Sequence, residues 1–345
     1  LTCEINVSIF VYIYFGKQYL HNLLMEEDFM SKPQLVTQHI EQALESTLKS
    51  FESRGGPPLL NQAIRHAVFP GGARIRPQLC LAVASACGND DPRLAMGAAV
   101  ALELLHCGSL VHDDLPCFDN AELRRGIASV HKAFGERIAV LTGDALIVMA
   151  FQSLVNQAGQ SLNRLAPVLS VVMQGVGSPH GIIAGQAWEC ESKVSLQVYQ
   201  QAKTGALFTA ATSAGAVAAG ANPQVWEKLG DCLGEAYQVA DDIRDVLGDM
   251  ASLGKPVGKD VALDRPSATR ELGLSGAVEY FDGLVCRAIE AIPHCAGEAM
   301  LKKLVAYESE RLVPNALFER ENLQLQSFTQ SALPSSSKNI KRVAI

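Results

Sequence analysis

Two clusters of aspartate interrupt a chain that is otherwise apolar in its long segments. The first is Asp113-Asp114-Leu115-Pro116-Cys117-Phe118-Asp119, and the second is Asp241-Asp242-Ile243-Arg244-Asp245. Asp241 and Asp245 stand i, i+4 apart and share a helix face, with Gln238 one turn earlier on nearly the same face. Like charges at that spacing cost a helix roughly 0.2–0.5 kcal/mol. A solvated charged face would account for one such cluster in a charged helix, but both of these are set in runs of Leu, Val and Ala. Carboxylates alone suit a hard cation. Mg²⁺ takes oxygen ligands, keeps several waters, and rests on one or two carboxylates plus substrate phosphates. No His/Cys grouping has zinc spacing. Two facing carboxylate clusters therefore predict a Mg²⁺–diphosphate clamp across a helical bundle.

Basic residues gather around both clusters. Arg74 and Arg76 follow the Gly71-Gly72 turn, Arg124-Arg125-Gly126 comes five residues after the first cluster, Lys203-Thr204-Gly205 opens an apolar stretch, and Lys255 follows the second cluster. Singly, each is a surface residue. Placed together around two acidic clusters they suit a phosphate cradle, and the planar fork of arginine favours bidentate contact.

The elements that must position these groups are helical. Apolar residues recur at i, i+3, i+4 and i+7, as in Leu94, Ala98, Leu102, Leu105 and Ser109, a stripe that leads straight to Asp113. The Ala-rich blocks 139–156 and 205–220 are wholly apolar over long stretches, which predicts helices buried on several sides. Turn signals separate the blocks, among them Pro70-Gly71-Gly72, Gly177-Ser178-Pro179 and Gly254-Lys255-Pro256. No βαβ pattern or short-period repeat is present, and a single all-α domain over residues 30–318 is expected.

The 345 residues are 48% hydrophobic, enough for a large core, and the net charge of −7 argues against a nucleic-acid partner. Nine scattered cysteines form no CxxC pair and read as reduced thiols in a cytoplasmic protein. The apolar run at 5–15 is too short to span a bilayer, so no membrane span is expected. Residues 1–29 read as a non-native or disordered leader and 319–345 as a flexible tail.

From about Leu59 to Leu312 the chain resembles the polyprenyl (trans-isoprenyl) diphosphate synthases. GGARIRP, HDDLPCFDN with ELRRG, KTGALF, AYQVADDIRD and LGKPVGKD occur in that family's order. The match is most similar to the geranylgeranyl diphosphate synthases of bacterial carotenoid pathways. The resemblance implies an isoprenoid-synthase bundle with a central active-site cavity, about three Mg²⁺ ions, isopentenyl and allylic diphosphates as substrates, and a homodimer. It implies Asp113, Asp119 and Asp241 as direct ligands, with Asp114, Asp242 and Asp245 in or near the metal shell and Asp245 counted among the metal residues. Arg124, Lys203 and Lys255 would hold the allylic diphosphate, with Thr204 and Gln238 near the cation. Arg76, His106 and Arg125 would hold isopentenyl diphosphate. Helical spacing independently puts His106 and Asp113 on one face, about 10 Å apart.

Product length in such enzymes is set just before the first motif, here at the small pair Gly108 and Ser109, with Leu105 deeper. Ser109 lies about 6 Å below Asp113 on the same side of the helix, and its size leaves room for a C20 chain. Three departures stand out: Ala73 where lysine is usual, Ile127-Ala128 in place of a basic or polar residue plus proline, and Arg265 in place of lysine. They leave open a non-catalytic subunit of a prenyltransferase. A class I terpene cyclase is the other alternative, although only 6% of the chain is aromatic and its DDxxD-type cluster repeats.

Overall fold

The computed structural model describes residues 32–69, 71–158, 161–193, 195–247 and 267–313. The expected leader, the expected tail, Lys255 and Arg265 lie outside the described residues. Within them the protein is a bundle of helices: α1 (Lys32–Glu52), α2 (Pro58–Val68), α3 (Ile75–Ala86), α4 (Pro92–Asp113), α5 (Val130–Phe134), α6 (Glu136–Gln157), α7 (Leu162–Val176), α8 (Ile182–Trp188), α9 (Leu196–Gln200), α10 (Ala206–Ala218), α11 (Gln224–Leu247), α12 (Ala268–Glu290) and α13 (Glu298–Leu312). A π-helical turn at Gln201–Gly205 joins α9 to α10. Sequence periodicity did not foresee one feature, a two-stranded hairpin of β1 (Leu123–Arg124) and β2 (Ile127–Ala128).

The core is organised around α10. Its residues from Leu207 to Ala218 are buried except Thr209, and it packs against α3, α4, α7 and α11. Only small side chains allow four neighbours to approach one helix so closely. A Cβ at Gly215 would collide with the carbonyl of Cys80 on α3, and one at Gly175 on α7 would sit 2.5 Å from the Ala210 Cβ. The alanine richness of 205–220 thus encodes the hub of the bundle.

Helix α4 begins where Asp91 accepts the Leu94 N–H at 3.0 Å and Pro92 occupies the first turn, a position that needs no donor. It runs through the core beside α6, and Gly143 of α6 leaves space that the His112 ring fills. Both helices are long and apolar enough to cross a membrane by composition, but most of the apolar window of α4 is buried inside the protein.

Helix α6, expected to be buried on several sides, packs against α4, α2, α5 and α7, while its Val140, Leu141, Val148 and Val155 are exposed. The eight described cysteines are free thiols.

Candidate active site

The first aspartate cluster sits where α4 ends. Asp113 is the last helical residue, and Pro116 lies in the turn beyond it. The chain curls back so that the Asp119 N–H donates to the Asp113 carbonyl at 2.9 Å, bringing both aspartates to one spot. Burial pushes the Asp113 carboxyl up to about 6, partly offset by the Lys203 ammonium and reinforced by Asp119. Asp114 has a partner of its own. Its buried carboxylate takes the Arg124 guanidinium through Nη2 at 2.5 Å and Nε at 3.1 Å.

The hairpin separates two adjacent arginines. Leu123 pairs with Ala128 and Arg124 with Ile127, leaving Arg125-Gly126 as a two-residue turn. Both turn residues have positive φ, 53° and 80°, the type I′ geometry that matches strand twist. Arg124 consequently meets the aspartates while Arg125 faces the other way, 4.0 Å from the buried Glu103. Gly72 makes room for it, since a Cβ there would lie 2.8 Å from the Arg125 guanidinium carbon. The hairpin is anchored without the expected proline: the His66 ring Nε2 lies 2.7 Å from the Ala128 carbonyl.

The two arginines of GGARIRP also divide. Arg74, in the left-handed region at φ 50°, is fully buried against Glu41, Glu103 and the Val68 carbonyl, so it holds α3 in place. Arg76 is buried differently. Its guanidinium lies 4.6 Å over the Phe208 ring and 5.5 Å from that of Tyr237, and its Nη1 is 3.5 Å from His106 Nε2. Its Nε is buried with no hydrogen-bond partner. Burial pulls the pKa of Arg76 down, against the opposing pull of Tyr237, Glu103 and Asp241. His106 is held well below its usual value by burial and by Arg76 and Arg125, so it is neutral at pH 7. A buried guanidinium with an unmet donor beside a neutral imidazole is short of one hydrogen-bond acceptor.

The second cluster lies on α11, which packs on α10 as α4 does. Asp242 is buried and occupied by structure: its carboxylate accepts from Gln238 Nε2 at 3.2 Å and from the Ala268 N–H of α12 at 2.7 Å. Asp245 is also buried, while Asp241 is partly exposed and pairs with Arg244. Thr204, in the π-helical turn, donates to Gln238 at 3.0 Å. The close approach of Gly234 to Gly205, 2.5 Å from a built Cβ to Cα, brings those two helices near enough for that bond. Lys203, one residue earlier, contacts Glu189 at 2.5 Å. Bulges of π type mark places where a helix is re-aimed, and here the bulge presents Lys203 and Thr204.

Among the described residues, no three acidic, His or Cys side chains converge closely enough to cage a metal alone. Mg²⁺ keeps several waters and shares its coordination with phosphate oxygens. The all-oxygen donors of Asp113, Asp119 and Asp241 suit such an ion, and the raised pKa of Asp113 records a buried carboxylate whose charge is under-compensated.

Residues 57–279 match the family described as polyprenyl synthetase. The chain belongs to the polyprenyl synthetase family. It is 51% identical over 277 residues to a geranylgeranyl diphosphate synthase of Cereibacter sphaeroides, spanning 80% of this chain and 96% of that one. Identity to the geranylgeranyl diphosphate synthase of Rhodobacter capsulatus is 48% over 274 residues, 79% and 95% of the two chains. The fold is similar to that of a geranyltransferase from Legionella pneumophila, with a TM-score of 0.68 and 26% identity over 82% of this chain and 99% of that one. A geranyltransferase from Helicobacter pylori complexed with magnesium and isoprenyl diphosphate gives 0.65 and 27% over 89% and 99%.

Within this polyprenyl synthetase, Gly108 lies close to α6: a Cβ there would meet the Gly143 carbonyl at 3.3 Å and the Leu146 Cβ at 3.4 Å. Its size serves the contact of α4 with α6. Ser109 is half-buried with its hydroxyl donating to the His106 carbonyl at 2.9 Å, and Leu105 lies in the core. Sequence reasoning missed Glu103, Glu189, Phe208 and Tyr237. Glu103 had left a signal, as the one acidic residue of α4 before Asp113. The aromatics had left none.

Proposed function

We propose that the chain is a Mg²⁺-dependent prenyltransferase that extends C5 to C15 allylic diphosphates with isopentenyl diphosphate, ending at the C20 geranylgeranyl diphosphate. The observation that carries this reading is the separation of the basic side chains into two groups. Arg124 and Lys203 stand beside Asp113 and Asp119, whereas Arg76, His106 and Arg125 form a second group with a buried unmet donor. Two such groups suit two diphosphates.

When bound, Mg²⁺, about three ions in all, supplies Lewis-acid stabilisation of the charge that builds on the departing allylic diphosphate. Asp113, Asp119, Asp241 and Asp245 are the residues proposed to hold it. Arg124 and Lys203, together with Lys255, hold the same diphosphate; Arg124 on Asp114 and Lys203 on Glu189 are fixed before reaction, so no reorganisation is needed for those two. Thr204 Oγ1 and the Gln238 side-chain oxygen are proposed to face the allylic cation. Arg76, His106 and Arg125 orient isopentenyl diphosphate so that its double bond attacks that cation, and loss of a proton completes the addition. The departing diphosphate serves as base, and no side-chain nucleophile is required.

The test is incubation with labelled isopentenyl diphosphate and each of the C5, C10 and C15 allylic diphosphates, with Mg²⁺ or with chelator, followed by sizing of the dephosphorylated products. A Mg²⁺-dependent C20 alcohol is expected, and Ser109→Phe should move the end point to C15. A C20 product from that variant would show that Ser109 is not near the growing chain. No product from any starter would favour a non-catalytic subunit, and a cyclic hydrocarbon made without isopentenyl diphosphate would favour a cyclase.

The pKa of Asp113 gives a second expectation. A carboxyl raised to about 6 binds a proton below that pH, and a protonated carboxyl is a poor ligand. Affinity for Mn²⁺, read by electron paramagnetic resonance without diphosphate, should rise up to about tenfold per pH unit between pH 5 and 6 and level off above. Levelling near pH 4 instead would place the metal on an unperturbed carboxylate.

The exposed residues Leu141, Val148 and Val155 stand seven apart and form one stripe on α6. We assign that stripe to a homodimer interface, which light scattering on the purified protein reads directly. The free thiols suit a cytoplasmic enzyme.

A further inference from the structure

Lys203 has a partner within its own chain. Its Nζ lies 2.5 Å from Glu189 Oε1, and both side chains are only 19% exposed. The same carboxylate oxygen accepts the Tyr199 hydroxyl at 2.5 Å, and Gln186 Nε2 donates to Oε2 at 3.3 Å. The Lys203 ammonium lies 5.8 Å from the centre of the Tyr199 ring. Glu189 directly follows α8, and Gly185 of that helix is pressed so close to the backbone of Lys203 that a Cβ there would collide with it. Charge and backbone are therefore fixed together. Lys203 and Glu189 are also both within electrostatic reach of Asp113.

We propose that Glu189 is a positioning residue for ionisation of the allylic substrate: with Tyr199 it holds the Lys203 ammonium at the diphosphate subsite and shares it with the leaving group as negative charge builds there. This rests on the prenyltransferase reading above and deepens it. An ammonium carries three N–H donors, so one stays on Glu189 while the others meet phosphate oxygens. A long lysine held in this way has its orientation settled before reaction, and its charge acts at full strength where the leaving group develops. The carboxylate has a second effect of opposite sign. It competes with an incoming anion for the same ammonium, so it weakens ground-state binding while it raises turnover.

That opposition separates positioning from a merely structural role. Glu189→Gln keeps the shape and the acceptor for Tyr199 but removes the charge. Calorimetry with inorganic diphosphate, in the absence of metal, should show binding about threefold tighter than in the parent. With saturating Mg²⁺, kcat should fall about tenfold or more while the KM for isopentenyl diphosphate is unchanged. Tyr199→Phe should lower kcat in the same direction by a smaller factor. A Glu189→Gln enzyme with parental kcat, or one that binds diphosphate more weakly, overturns the proposal while leaving the prenyltransferase reading intact. A parent chain that neither binds diphosphate nor forms product overturns both.

Discussion

Asp113→Asn is expected to lower kcat by about 10³-fold and to leave the fold intact. Asparagine keeps the size and one oxygen of aspartate but removes the charge that a metal needs. The position is poised for this result, because Asp113 is buried enough to lift its pKa to about 6 with Lys203 only partly offsetting the cost. Above pH 6 the folded protein therefore carries an ionised carboxylate that it would hold more easily as a neutral group. Removing the charge relieves that cost, so the melting temperature of the metal-free variant should equal or exceed the parent's at pH 8. Product assays and thermal melts check the two halves separately. Parental kcat would show that the first cluster is not the metal site. A large fall in melting temperature would show that Asp113 is a structural residue.

Arg76→Met should produce a similar pair of opposite effects at the second site. Arg76 is buried over Phe208 and Tyr237, with its Nε unmet. Methionine fills a comparable volume against the same rings without a charge to desolvate. Losing charge-assisted hydrogen bonds to a diphosphate should lower kcat/KM for isopentenyl diphosphate about 100-fold, equivalent to ~3 kcal/mol, with the KM of the allylic substrate little changed. The substrate-free variant should gain about 1 kcal/mol, because replacing a buried ion that lacks a full partner by an apolar residue is commonly stabilising. The gain is small because the two cation–π contacts are lost with the charge. An equal rise in KM for both substrates would place Arg76 at neither site in particular. In both variants the active residues are ones the empty protein would be more stable without, as expected where function requires charge in an apolar interior.

The sequence conveyed the bundle, the two aspartate clusters and the arginines because each rests on local spacing. Apolar residues at helical intervals specify helices whatever surrounds them, and Asp91-Pro92 and Pro116 mark the two ends of α4 in the residue types themselves. Local spacing, apart from the family resemblance, left undecided which of several identical residues does what. Arg74 and Arg76 are two residues apart, yet one is locked by Glu41 and Glu103 while the other lies over aromatic rings with a donor to spare. Adjacent Arg124 and Arg125 face opposite ways because a turn with two positive φ angles separates them.

Asp114 and Asp242 look like their neighbours in the motifs, but one carboxylate is taken by Arg124 and the other by Gln238 and the α12 backbone. Gly108, read as pocket floor, also stands in close contact with α6. Glu189 carries no motif that sequence reasoning used, and it acquires meaning only from Lys203, 14 residues on, at 2.5 Å. Residue types and helical periods thus determined by themselves that this chain would be a helical bundle able to hold Mg²⁺ and diphosphate. Only the tertiary structure decided which charges were spent on holding the bundle together and which were left with unmet partners, because that depends on burial and on contacts between distant helices, which no local spacing encodes.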